Sequence, residues 1–150
     1  MHFEIDFNSD EALYLQLRNQ IILGIATDRF HEGESLPSVR SLADMIGINM
    51  HTVNKAYTAL KQEGYVKVDR RKGAVIAVDA DRAGTMDEIR RELRTVIAKS
   101  SCKNISREEI HLLVDELFEW MERSKTICSH SHLRIRQKRR WYRRPRARRV

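Results

Sequence analysis

Residues 36–64, LPSVRSLADMIGINMHTVNKAYTALKQEG, decide the fold of this 150-residue chain. Their apolar side chains recur at helical spacing in two short runs, and Gly47 lies between the runs, where a helix can end at positive φ. Ser38 and Asn49 occupy the N-cap positions of the two helices, and Gly64 follows the second run. This pattern predicts two helices joined by a tight turn.

The second helix has a polar face that suits contact with a DNA major groove. Donors and acceptors on short side chains, with one cation, can reach base edges from the N-terminal turn of a helix. An ordinary helical hairpin with a solvated polar face is the competing interpretation. The residues of this face are His51, Thr52, Asn54, Lys55 and Thr58.

Two β-branched runs, 65–69 (YVKVD) and 74–78 (AVIAV), follow the helix pair and flank the tip 70–73 (RRKG). Such runs around a glycine-containing tip are typical of a β-hairpin. A helix-turn-helix followed by a hairpin with a cationic tip is the element order of a winged helix. This order favours DNA binding over the plain helical hairpin.

These residues resemble the N-terminal DNA-binding domain of the GntR family of bacterial transcription regulators. The resemblance implies a winged helix-turn-helix regulator and makes Arg40 a DNA contact. Two departures, Met50 and the wing sequence Arg71-Lys72-Gly73, leave base preference and turn geometry open. The matching features are Leu36-Pro37-Ser38, Arg40, Leu42-Ala43, Thr52-Val53-x-Lys55-Ala56-Tyr57 and Leu60-x-x-Glu63-Gly64.

The N-terminal segment, residues 1–8, alternates apolar and polar side chains, which predicts a short strand or an arm packed on the domain. Ser9 can cap a first helix that runs to about Ala26.

Two amphipathic helices are predicted at about 86–100 and 107–123. Two helices alone cannot bury their combined apolar faces, and exposed apolar patches mark interaction surfaces. We therefore interpret 85–123 as a dimerisation hairpin, with packing onto the subunit's own winged helix as the alternative. Capping boxes are expected at Thr85 with Glu88 and at Ser106 with Glu109. The expected dimer interface is Ile89, Leu93, Val96, Ile97, Ile110, Leu113, Val114, Leu117, Phe118 and Met121.

The small size of this helical unit resembles the YtrA subfamily, the shortest GntR branch. That resemblance implies a dimeric repressor, often encoded beside ABC-transporter genes.

Charge is unevenly distributed along the chain, whose net charge is +7. Residues 1–128 hold 18 basic against 21 acidic residues, a net charge of −3, whereas residues 129–150 hold 10 basic residues and no acidic one. The C-terminal segment also contains Pro145 and lacks a helical apolar stripe, so we expect it to be disordered. A non-specific DNA arm and an aberrant extension are both open interpretations of it.

Composition, with 41% apolar and 33% charged residues, is that of a soluble protein. There is no apolar run of membrane-spanning length and no signal peptide, so we expect a cytoplasmic location without membrane contact. Cys102 and Cys128 are expected to be free thiols. No catalytic motif is present, and His130 and His132 make a poor metal site, so no enzyme activity, cofactor or metal is expected.

The sequence thus predicts a mostly α fold with a small β-hairpin, an N-terminal winged helix-turn-helix and a C-terminal two-helix dimerisation hairpin. We expect a sequence-specific, double-stranded-DNA-binding transcription regulator, dimeric and repressing from a palindromic operator; an RNA-binding winged helix and a protein–protein adaptor are alternatives. Operator, regulated genes and effector are not specified. The predicted units are 1–78 (winged helix), 79–84 (hinge), 85–123 (dimerisation) and 124–150 (basic tail). The predicted DNA contacts are Ser38, Arg40, Asn49, His51, Thr52, Asn54, Lys55, Arg70, Arg71 and Lys72.

Overall fold

A computed structural model describes the backbone of residues 3–79 and 81–141, and the side chains as far as residue 127. Helices dominate, and one two-stranded antiparallel hairpin lies between them, which confirms the predicted mostly α fold. The elements are α1 (Leu13–Ala26), α2 (Val39–Ile46), α3 (Met50–Gln62), β1 (Val66–Asp69), β2 (Gly73–Ile76), α4 (Arg82–Cys102) and α5 (Arg107–Trp141).

The hydrophobic core lies in the N-terminal part of the chain. α3 packs against α1, α2 and β1, so the apolar stripe of α3 is covered from three directions. Leu17 of α1, Leu42 of α2 and Leu60 of α3 have no exposed surface. Within the described residues, no buried side-chain nitrogen or oxygen lacks a hydrogen-bond partner. The winged-helix part therefore has a well-packed hydrophobic core of its own.

The predicted helix caps are confirmed. Ser38 Oγ accepts a hydrogen bond of 3.1 Å from the Ser41 N–H, and Asn49 Oδ1 accepts one of 2.8 Å from the His51 N–H. Gly47 ends α2 at φ +79°, in the left-handed region that favours glycine. These three local signals fix both ends of α2 and the start of α3.

Residues 33–36 run along the free edge of β2. The N–H groups of Gly33 and Leu36 donate to the carbonyl oxygens of Ile76 and Ala74, both at 2.8 Å. β2 therefore has a partner on each side, since β1 pairs with it from Val66↔Ile76 to Asp69↔Gly73. Residues 33–36 thus attach the hairpin to the rest of the winged helix, and its tip extends beyond them as the wing.

The segment before α1 is an arm rather than a strand among the described residues. Phe3 and Ile5 pack on the core, and the Phe3 ring lies 5.8 Å from the Phe30 ring between centroids. Gln16 and Gln20 of α1 bind the arm backbone. Gln16 Oε1 accepts from the Asp6 N–H at 2.9 Å and its Nε2 donates to the Asp6 carbonyl oxygen at 3.0 Å.

Gln20 repeats this arrangement one helical turn later. Its Oε1 accepts from the Glu4 N–H at 2.9 Å, and its Nε2 donates to the Glu4 carbonyl oxygen. The predicted Ser9 cap is wrong, because Ser9 Oγ accepts from the Glu11 N–H and α1 begins at Leu13. The turn before α1 is instead held by Gln16, whose Nε2 also donates to the Glu11 carbonyl oxygen.

α4 begins earlier than predicted. Asp81 is its N-cap and accepts from the Gly84 N–H at 3.1 Å, while Thr85 Oγ1 donates to the Asp81 carbonyl oxygen. The expected capping box of Thr85 and Glu88 is therefore wrong, and the linker is shorter than the predicted hinge at 79–84. Asp81 takes the capping role because its carboxylate is one of the best N-cap groups.

α5 begins as predicted and ends later. Ser106 and Glu109 form the expected capping box, with hydrogen bonds of 2.7 Å and 3.2 Å. The helix then continues to Trp141 instead of ending near 123, into the segment expected to be disordered. Residues 107–141 contain neither Gly nor Pro, and their Arg, Lys, Leu and Gln residues are good helix formers. Residues 142–150 lie outside the described part of the chain.

Candidate nucleic-acid interface

The recognition helix is α3, and its polar face is open. His51, Asn54 and Lys55 are exposed, Asn49 lies at the N-cap, and Thr52 is half-buried. The buried residues of α3 lie on the opposite side: Val53, Ala56, Tyr57 and Leu60. The structure thus places the predicted contacts of α3 in its first two turns, where base edges can be reached from a helix in the major groove.

Ser38 and Arg40 lie at the start of α2, and both are exposed. Among the described residues, no side chain makes a hydrogen bond or ion pair with the Arg40 guanidinium. The Ser38 hydroxyl oxygen accepts from the Ser41 N–H, so its hydrogen is available to donate to a phosphate. Both side chains are therefore free to meet DNA.

Tyr57 fixes α2 relative to α3. Its hydroxyl donates to the Pro37 carbonyl oxygen at 2.8 Å, directly before the α2 cap. Burial raises the pKa of Tyr57, so the hydroxyl stays protonated and keeps donating. The sequence placed Tyr57 on the apolar face of α3, and its hydrogen bond was not predicted, since that bond depends on the tertiary arrangement.

The wing tip is a three-residue loop, 70–72, between Asp69 and Gly73. Gly73 has φ +74°, so the loop closes through a residue in the left-handed region, as in three-residue hairpins. Asp69 Oδ1 accepts from the N–H groups of Arg71 and Lys72 at 2.7 Å and 2.8 Å. These contacts define the turn geometry that the wing sequence Arg71-Lys72-Gly73 left open.

The three cations of the tip, Arg70, Arg71 and Lys72, are all exposed. The backbone hydrogen bonds from Arg71 and then Lys72 lower the pKa of Asp69, so its carboxylate is charged at neutral pH. The carboxylate lies at the base of the loop and holds its backbone, while the cationic side chains extend from the loop. Such side chains can bind phosphate oxygens.

Lys55 has a partner within the winged helix. Its Nζ lies over the Tyr14 ring, 3.9 Å from the ring centroid, which is within cation–π distance. Tyr14 belongs to α1 and is half-buried against the core. The sequence could not place these two residues together, because their contact depends on how α1 crosses α3.

The C-terminal end of α3 is joined to α1 by an ion pair. Arg18 Nε donates to both carboxylate oxygens of Glu63, at 2.9 Å and 2.7 Å. Partial burial lowers the pKa of Arg18, but the Glu63 carboxylate outweighs it and the pKa is raised overall. The recognition helix is therefore held by α1 at two points, near its middle through Tyr14 and at its C-terminal end through Arg18.

α4 and α5 expose an apolar surface. Most of the predicted dimer residues are exposed, and Ile110 and Met121 are half-buried. Beside α1, an apolar groove of about 330 Å³ is lined by Leu23, Val114, Leu117, Phe118, Trp120 and Met121. The exposed predicted residues are Ile89, Leu93, Val96, Ile97, Leu113, Val114, Leu117 and Phe118.

Across the described ranges, no group of three or more His, Cys, Asp or Glu side chains is arranged to hold a metal ion. The helices of that part of the chain include none with the length and apolar character to cross a membrane. Cys102 is an exposed free thiol. The side chains of Cys128, His130 and His132 lie outside the described residues.

Comparison with known proteins agrees with this geometry. Residues 10–76 match the family model described as bacterial regulatory proteins, gntR family. The HTH-type transcriptional repressor YtrA of Bacillus subtilis is 31% identical over 117 residues, which span 76% of this chain and 90% of that protein.

Two solved structures are also similar. A transcriptional antiterminator from Listeria monocytogenes has 30% sequence identity and a TM-score of 0.74, over 81% of this chain and 92% of that one. YtrA from Sulfolobus acidocaldarius, a GntR-family transcription factor, has 39% identity and a TM-score of 0.52, over 61% of this chain and 97% of that one.

Proposed function

Since this chain belongs to the GntR family and is a YtrA-like, DNA-binding transcription regulator rather than an enzyme, we propose that it is a dimeric repressor of a palindromic operator. The observation that carries this proposal is the joint exposure of the first turns of α2 and α3 and of the cationic wing tip. The winged-helix part holds these groups on a closed core. They form the DNA-binding surface.

The contacts divide by chemistry. Arg40 and the α3 residues Asn49, His51, Thr52 and Asn54 read base edges, because guanidinium, amide, imidazole and hydroxyl groups match the donor and acceptor pattern of the major groove. Ser38 and the tip cations Arg70, Arg71 and Lys72 bind phosphates and fix the protein on the duplex.

The exposed apolar faces of α4 and α5 support a homodimer. Leu117 and Phe118 of α5 are 54% and 60% exposed, and a single copy of the chain leaves them in water. A second copy that packs on these faces places two winged helices about a two-fold axis. Such a dimer requires a palindromic operator with half-sites one helical turn apart, about 34–36 Å.

Repression is proposed from the similarity to Bacillus subtilis YtrA, which is named a transcriptional repressor. The mechanism is occlusion, because a dimer seated on a promoter excludes RNA polymerase. We propose the promoter of the protein's own operon as the first target to test, the promoter of an ABC-transporter operon as the second, and the cytoplasm as the site of action.

The test is fluorescence anisotropy with the full chain and duplex DNA from immediately upstream of its own gene, at two salt concentrations. Specific binding survives a scrambled duplex competitor and weakens with salt. Arg40→Ala should lose about tenfold or more in specific affinity, because one bidentate base contact is worth that much. The matched control is Arg91→Ala, an exposed arginine on α4.

Three outcomes contradict the proposal. Unchanged operator binding by Arg40→Ala removes the base-reading assignment. Preferential competition by structured RNA favours an RNA-binding winged helix. An activity that persists when Arg40 and the wing cations are neutralised favours a protein–protein adaptor.

A further inference from the structure

The contact between Tyr14 and Lys55 brings an aromatic ring of α1 to the exposed face of the recognition helix. Lys55 Nζ lies 3.9 Å from the ring centroid. In the described part of the chain, Lys55 makes no ion pair, so the ring is the group that positions its ammonium. A lysine stem has several rotatable bonds, and without a partner the ammonium would sample many positions.

The Tyr14 ring is a fixed platform. It packs against the core of the winged helix, and α1 in turn packs along α3. The ring therefore holds Lys55 on the side of α3 that faces α1. This places the ammonium on the α1 side of the polar face rather than at its middle, from which side chains of a recognition helix reach base edges.

An aromatic partner differs from a carboxylate in its effect on DNA binding. A carboxylate would offset the lysine charge and would itself repel DNA phosphates. The face of a ring attracts the ammonium while the net positive charge stays available. The side-chain entropy that binding would otherwise remove from Lys55 is also partly lost before DNA arrives.

We propose that Tyr14 is a positioning residue of the DNA interface, which holds the Lys55 ammonium for a phosphate at the groove edge. This proposal rests on the DNA-binding function and extends it to a residue outside the helix-turn-helix. It also gives Lys55 a phosphate contact rather than a base contact. Loss of the Lys55 phosphate contact should weaken binding to operator DNA and to scrambled DNA by the same factor.

The experiment measures the affinity of the full chain for its operator by anisotropy across a salt series, in a double-mutant cycle. Tyr14→Leu should weaken binding roughly three- to fivefold, as expected for an exposed cation–π contact. Lys55→Met should weaken binding more and reduce the slope of log affinity against log salt by about 0.9, the loss of one phosphate contact. In the Lys55→Met background, Tyr14→Leu should have no further effect.

Tyr14→Phe keeps the ring and should rescue binding. Phenylalanines with one, two and three ring fluorines at position 14 change the ring's charge distribution with little change of shape, so affinity should fall stepwise along the series. This series keeps the test decisive should Tyr14→Leu lower the melting temperature.

Two results overturn the proposal. Equal weakening by Tyr14→Phe and Tyr14→Leu assigns the effect to the hydroxyl. Full additivity of Tyr14→Leu and Lys55→Met, or no response to fluorination, assigns Tyr14 a structural role. Failure of the unmodified chain to bind its operator specifically would instead contradict the proposed function, so the two failures are distinguishable.

Discussion

The winged helix and the α4–α5 helices both contain many apolar side chains but differ in how far they bury them. In the winged helix, apolar side chains such as Leu17, Leu42 and Leu60 are fully buried by a few short elements. Along α4 and α5, residues such as Leu93 and Leu117 stay about half exposed. The first region covers its own apolar side chains, whereas the second leaves many of its apolar side chains open to solvent. The difference separates the DNA-binding region from the region that we propose forms the dimer.

The same substitution made in both regions tests the difference between them most directly. Leu60→Ala removes a fully buried side chain and should lower the free energy of unfolding by about 2–5 kcal/mol. Leu112→Ala on α5, at a leucine that is 64% exposed, should cost less than about 0.5 kcal/mol. Urea unfolding followed by circular dichroism, at one fixed protein concentration, compares them. Equal losses would show that the side of α5 that carries Leu112 is also covered.

The next prediction concerns what covers α5. Leu117→Glu places a charge in the proposed dimer interface and should raise the dimer dissociation constant by about a hundredfold or more. Sedimentation velocity should then show the 17.7 kDa monomer. The control is Glu119→Gln, at an exposed position that helical spacing puts away from the apolar face. A Leu117→Glu chain that stays dimeric would place the interface elsewhere.

The smallest expected effect concerns the wing turn. There the winged helix is stabilised by hydrogen bonds of an exposed carboxylate rather than by burial of apolar side chains. Asp69 is fully exposed, and its folded-state pKa is depressed by the Arg71 and Lys72 N–H groups. Its stabilisation of the turn is therefore present above the ordinary aspartate pKa and is lost as pH falls through the depressed value.

The measurement is an NMR titration of the Arg71 and Lys72 amide resonances. Both should shift together, with a midpoint below the usual aspartate range. Asp69→Asn should abolish the titration. A midpoint at the ordinary value would show that the two hydrogen bonds do not persist in solution.

The sequence predicted most of what depends on neighbouring residues. The caps at Ser38 and Asn49, the ending at Gly47 and the Ser106–Glu109 box were all predicted, because each joins groups within a few residues. The element order with its cationic hairpin tip and the family resemblance then led to the predicted DNA-binding surface. The individual DNA contacts and the dimer stay predictions.

The features that the sequence did not predict depend on more distant groups or on competition between signals. Ser9 was expected to cap α1, but Gln16 binds the backbone on both sides of Ser9 and sets a later start. Asp81 and Thr85 are both favourable N-cap residues, and the sequence alone does not show that Asp81 caps α4. The Tyr14–Lys55 contact depends on the crossing of α1 and α3, which periodicity does not report.

The glutamines of α1 have a consequence for the alignment of the N-terminal arm. Gln16 and Gln20 each pair an N–H and a C=O of alternate arm residues, Asp6 and Glu4, as a neighbouring β-strand would. A slip of the arm by one residue would break these pairs and turn Phe3 and Ile5 away from the core, since successive side chains of an extended segment point to opposite sides. The two amides thus act as register pins, and glutamate in their place would lose the donor half of each pair.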